Sequence, residues 1–149
     1  MFPPELQRLV QHFESLPEGE RREGLIDLAE QSARHAPKHD LAYQFEDVRK
    51  DAECSDTVGI HIHIDEAKHV HFAVSLGCAV QTLTRAMTTI LCRGLSGSTI
   101  EEVLAVPPDF VPRIVGTELV QMRARTVYYV LGRMKEAVAK LRDEMASHG

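Results

Sequence analysis

From Thr57 to Ile64 apolar and polar positions alternate without a break, with Val58, Ile60, Ile62 and Ile64 on one side and Thr57, Gly59, His61 and His63 on the other. After Asp65, Glu66 and Ala67 the pattern resumes, with Val70, Phe72 and Val74 set against His69, His71 and Ala73. A period of two marks a half-buried strand, so the two runs predict a β-hairpin. Opposed residues share a face, so their numbers must sum to an even value. The simplest register pairs Ile62 with Val70, Ile60 with Phe72, His63 with His69 and His61 with His71 across a three-residue loop. The apolar row is the expected core face. A two-stranded sheet is marginal alone, so the expectation is a small antiparallel sheet of three strands, although the pattern does not single out the third.

Elsewhere the spacing is helical. Leu6, Leu9, Val10 and Phe13 follow Pro3 and Pro4, Pro17 interrupts, and Leu25, Ile26, Leu28 and Ala29 form a second stripe. From Ala36 to Glu53 no period holds, and the stretch reads as a long loop that crosses the surface and delivers Cys54. A helix is expected over Gly77 to Cys92, with Gly94 as its stop. Ser98 or Thr99 then caps a short helix carrying Glu101 and Glu102 in its first turn. Val106-Pro107-Pro108 ends that helix, and Pro112 and Gly116 punctuate the next short piece. A long final helix is expected from about Leu119 to Met145. The order is that of an α+β domain with helices packed on one side of the sheet.

Composition narrows the partners. The chain has 149 residues, 44% of them hydrophobic, and no low-complexity stretch, so one domain over residues 1–149 is expected. A formal net charge of -5, with no basic cluster, disfavours nucleic acid. No stretch approaches the roughly 20 apolar residues of a membrane span, and the charged start MFPPELQRLVQHFE does not read as a secretory leader. The expectation is therefore a cytoplasmic protein with no membrane partner. Three cysteines, Cys54, Cys78 and Cys92, are an odd and widely spaced set, which speaks for a reducing compartment.

Each thiol needs its own reading. Cys54 stands among Glu53, Ser55 and Asp56, poor neighbours for burial, and is either a functional thiol or a tolerated loop cysteine. Cys78 and Cys92 lie on the helix expected behind the hairpin, roughly 21 Å apart along its axis, too far to share a metal or a disulfide. Core filling suits both, with Cys78 nearer a helix N-terminus that would favour its thiolate. In the expected register His61, His63, His69 and His71 form a two-by-two patch. Such a patch could hold zinc, nickel or copper, or be a plain solvent-facing row; no resident metal and no cofactor are expected. Arg123 and Arg125 are either solvated charges or neighbours that favour the Cys54 thiolate. No P-loop, His-Glu-x-x-His, Cys-x-x-Cys or Gly-x-Ser-x-Gly string is present.

Several strings, in this order, resemble the SufE family of sulfur acceptors. PPELQRLVQHFESLPEGERREGLIDLAEQSA is similar to the family's paired N-terminal helices. AECSDTVGIHI corresponds to its acceptor-cysteine segment, LSGSTIEEVLAVPPDFV to its Ser-Gly-x-Thr-x-x-Glu helix start and Pro-containing turn, and MRARTV to its C-terminal Ser-Arg. The resemblance implies that Cys54 takes persulfide sulfur from a SufS-type cysteine desulfurase, stimulates that enzyme and relays sulfur to a SufB-containing scaffold complex, with Arg123 on the family's arginine. It implies a carrier and activator, without pyridoxal chemistry of its own, rather than a stand-alone enzyme. An iron-sulfur scaffold of the related IscU or NifU type, which uses three cysteines, and a non-catalytic interaction module are the alternatives.

Overall fold

The structure is a computed structural model and describes residues 2–38, 40–50, 57–77, 82–116 and 125–148. Two helices open the chain, α1 (Pro4–Glu14) and α2 (Glu18–Glu30), followed by a 3-10 turn at Gln31–His35. Pro4 fits α1's first turn, where its missing N–H is not needed, and Leu6, Leu9, Val10 and Phe13 are buried on one stripe. Strands β1 (Phe45–Lys50), β2 (Thr57–Ile64) and β3 (His69–Leu76) come next. The chain continues through α3 (Thr82–Leu95), β4 (Ser98–Thr99), α4 (Ile100–Leu104), α5 (Phe110–Val115) and the long α6 (Arg125–His148). The fold is α+β, with one four-stranded antiparallel sheet in the order β1-β2-β3-β4.

Val58, Ile60, Ile62, Ile64, Val70, Phe72 and Val74 all point into one core with Leu6, Phe13, Met87, Ile90, Phe110, Val130 and Met134. The expected apolar face is therefore the core face. The register is not the expected one. Ile64 pairs with Val70, Ile62 with Phe72, His63 with His71 and His61 with Ala73, so pairs sum to 134 where 132 was expected. The parity argument holds, but the turn chose the other even sum. Asp65 O accepts from Lys68 N–H and His69 O from Asp65 N–H, both at 3.0 Å, and Lys68 sits at φ 68. That is a tight turn closed by a left-handed residue, with Asp65 Oδ1 accepting from His69 N–H at 2.9 Å.

Two strands were not expected where they lie. β1 falls inside the stretch read as loop, because its apolar residues break the alternation: Asp47 sits opposite Ile60 of the core face, while Val48 is 57% exposed. β4 is only Ser98–Thr99, pairing with His69 and Val70. Thr99 also caps α4 as expected: Thr99 Oγ1 accepts from Glu102 N–H at 3.2 Å and Glu102 Oε1 from Thr99 N–H at 2.9 Å. Gly94 does not stop α3. It lies within the helix, where a Cβ would stand 3.0 Å from Leu6 Cβ, so its lack of a side chain lets α1 approach α3. Gly97, at φ 88, turns the chain just after. The expected helix starts at Gly77 and Leu119 fall beside or within residues 78–81 and 117–124, outside the described residues.

Candidate functional site

The end of the sheet where β1 gives way to β2 carries the sequence position of interest. Lys50 and Thr57 are Cα partners, so the chain leaves and re-enters the sheet at one rung. Cys54 belongs to residues 51–56, outside the described residues, as do Cys78 and Arg123. Leu76, the last residue of β3, is the partner of Val58. The exit toward Cys54 and the exit toward Cys78 are thus at the same end of the sheet.

That end is tied to α6 by Arg133, which is 4% exposed. Its Nη1 donates to Val58 O at 3.0 Å and its Nη2 to Asp47 O at 2.9 Å, with Asp47 Oδ2 at 3.3 Å. The planar guanidinium spans both strands, which a point-like ammonium could not do. A buried cation is costly without such partners. Arg133 escaped the sequence reading, yet it lies on α6's buried stripe between Val130 and Ala137, and a charge on such a stripe is itself a signal.

The opposite face of the sheet is less open than alternation suggested. After the 3-10 turn beside β3, the chain must reach β1 on the far edge, and it does so across this face. Tyr43 meets the His61 ring edge-on at 5.7 Å, and His63 Nδ1 donates to Ala42 O at 2.9 Å. The Gln44 amide adds a rung, with its Oε1 accepting from Ile64 N–H and its Nε2 donating to Ile64 O, both at 3.0 Å.

The four histidines therefore do not form the expected patch. His61 is 5% exposed and opposes Ala73; its Nδ1 donates to Glu46 Oε2 at 2.6 Å, and its Nε2 lies 3.0 Å from Ser75 Oγ. His63 and His71 are cross-strand neighbours with ring centroids 6.0 Å apart. His71 Nε2 donates to Asp65 Oδ2 at 2.9 Å. Among the described residues no group of three or more His, Cys, Asp or Glu is placed to hold a metal ion. A hollow of about 300 Å³ opens on this face between the 3-10 turn and the strands, lined in part by Arg34, His35, Tyr43, His71 and Ala73. Burial, with Arg93 and Arg34 nearby, holds the His35 imidazole below its ordinary pKa.

Asp65 is drawn down from 3.8 to about 2, first by the His71 ring N–H and then by the His69 backbone N–H. A carboxyl with a depressed folded pKa contributes stability that is present above 3.8 and lost as pH falls through about 2. The His69 amide proton resonance is expected to titrate with a midpoint near 2; a midpoint at 3.8 would show the turn contact to be absent in solution.

Cys92 is fixed in the core at 1% exposure, as its helical setting suggested, and burial pushes its thiol up to about 12. It is therefore a neutral packing group, far from the thiolate that sulfur chemistry or metal ligation requires. No described helix is long and apolar enough to cross a membrane.

Comparison with known proteins follows the same lines. A family model described as SufE, Fe-S metabolism associated domain, matches residues 7–138. Among solved structures, the solution structure of a hypothetical protein from Thermus thermophilus superposes with a TM-score of 0.72 at 26% identity, covering 94% of this chain and 97% of that one. No curated protein matches the chain. A match from within α1 to about the middle of α6 takes in the whole sheet and most of its helical cover, and so the chain belongs to the SufE family, associated with Fe-S metabolism.

Proposed function

We propose that this chain is a cytoplasmic sulfur acceptor and carrier working through Cys54. The Cys54 thiolate attacks the terminal sulfur of a persulfide on a SufS-type cysteine desulfurase. A new S–S bond forms to Cys54, the bond to the desulfurase cysteine breaks, and that cysteine leaves as a thiolate. The persulfide on Cys54 is then relayed to a SufB-containing scaffold complex. Arg123, just ahead of α6, favours the Cys54 thiolate or the docked partner.

The observation that carries this reading is the SufE family match over residues 7–138, a range that includes both Cys54 and Arg123. Two structural facts support it. The Cys54 segment joins two strands held by a buried arginine, so its two ends are anchored. Cys92, the third thiol that an iron-sulfur scaffold would need, is sealed in the core.

The test is desulfurase turnover. The wild-type chain is expected to stimulate alanine release from cysteine by a SufS-type enzyme several-fold, Cys54→Ser to abolish the stimulation and Arg123→Glu to weaken it. Equal stimulation by Cys54→Ser would refute the role assigned to that thiol.

A further inference from the structure

Three residues on three adjacent strands form a carboxylate, imidazole and hydroxyl relay on the covered face of the sheet. Glu46 of β1 is the direct partner of His61 on β2, and Ser75 of β3 lies diagonally beyond it, opposite Gly59. The spacings are 2.6 Å from Glu46 Oε2 to His61 Nδ1 and 3.0 Å from His61 Nε2 to Ser75 Oγ.

The direction of the hydrogen bonds follows from chemistry. An ionised carboxylate only accepts, so Glu46 holds the proton on His61 Nδ1. In the neutral ring Nε2 is then a bare lone pair, and the Ser75 hydroxyl must donate to it. This is the arrangement of a serine with a general base beside it and a third group orienting that base.

Its surroundings fit that role. His61 is 5% exposed under the Tyr43 ring, so the imidazole is fixed and shielded, while Ser75 is half-buried and Glu46 reaches solvent. Gly59 makes the space. A Cβ there would overlap the Ser75 hydroxyl and stand 3.2 Å from His61 Nε2. The hollow of about 300 Å³, of a size to take a small molecule, reaches along this face of β3 as far as Ala73, one residue of the same face short of Ser75.

We propose that Ser75 is an activated nucleophile that takes the acyl group of a small ester. Ser75 Oγ bonds to the acyl carbon as its proton passes to His61 Nε2; the bond to the leaving oxygen breaks, and that oxygen takes the proton from His61. Water repeats the sequence to release the acid, so no oxidant or metal is required. This activity is independent of the sulfur chemistry assigned to Cys54.

The experiment uses the whole chain and an alkyl fluorophosphonate, whose adduct is not readily hydrolysed. Ser75 Oγ bonds to phosphorus, fluoride leaves, and the proton passes through His61 to solvent. Peptide mapping by mass spectrometry reads the rate of adduct formation at Ser75. The proposal expects a stoichiometric adduct on Ser75, formed about 100-fold more slowly in His61→Gln, the lower range for a lost general base. Because His61 is buried and its loss could disturb the sheet, Glu46→Gln, a nearly isosteric change at an exposed side chain, is the second variant and is expected to slow labelling about 10-fold. No adduct on Ser75 in the wild-type chain, or equal rates in wild type and Glu46→Gln, would overturn the proposal and leave the relay as a means of satisfying a buried imidazole.

Discussion

Arg133→Ala is expected to destabilise the chain by about 3 kcal/mol, from two backbone carbonyls that each cost about 1–3 kcal/mol when left dry. The side chain holds Val58 O and Asp47 O at 3.0 and 2.9 Å, and an alanine methyl supplies neither bond. The Asp47 carboxylate at 3.3 Å is partly solvated, so its share is smaller. Urea denaturation should show a lower midpoint with an unchanged slope, and amide exchange should rise in β1 and β2 before it rises in α1 and α2. Arg133→Lys is expected to recover only part of the loss, since an ammonium does not reproduce the fork. A change within about 0.5 kcal/mol for Arg133→Ala, the size of an ordinary surface effect, would show that the strands do not depend on this clamp.

Phe110→Ala is expected to cost more, about 3–5 kcal/mol, the range for removing a buried aromatic ring. Phe110 is fully buried at the start of α5 and meets Phe2 edge to face at 5.8 Å, while Arg113 lies 5.5 Å over the Phe2 ring. Arg113 is paired in turn with Glu14 at the end of α1, at 2.8 and 3.0 Å. Loss of the ring therefore loosens the seam between α5 and the N-terminus as well as opening a cavity. Thermal or urea unfolding measures the cost. A loss under about 1 kcal/mol would mean that the seam collapses onto the space and is not rigidly packed.

The hairpin and its core face were legible because both strands alternate cleanly and one face is fully apolar. The register was not, because parity allows any even sum and the choice rested on Asp65 closing the turn and on Lys68 taking a positive φ. β1 was hidden by its own composition. Phe45 and Val48 fall on opposite faces, and Asp47, which shares the core-facing side with Phe45, is a charge paired with Arg133, 86 residues away. The same distance in sequence kept the Arg133 clamp out of view.

Histidines on the polar side of a strand read naturally as solvent-facing. His61 is covered because the chain from the 3-10 turn to β1 crosses that face, a consequence of strand order that no local pattern records. Glu46 and Ser75 carry no signal on their own; they become a site only when β1 pairs with β2 and β2 with β3. By contrast, Cys92 was read correctly from its helical setting, and Thr99 from the cap spacing to Glu102.

The sulfur-carrier account is tested most directly by mass spectrometry of the intact chain after incubation with a SufS-type desulfurase and cysteine. The account predicts one added sulfur, removed by a reductant, mapping to Cys54 and missing from Cys54→Ser. A wild-type chain that gains no sulfur, or gains it equally when Cys54 is serine, would contradict it.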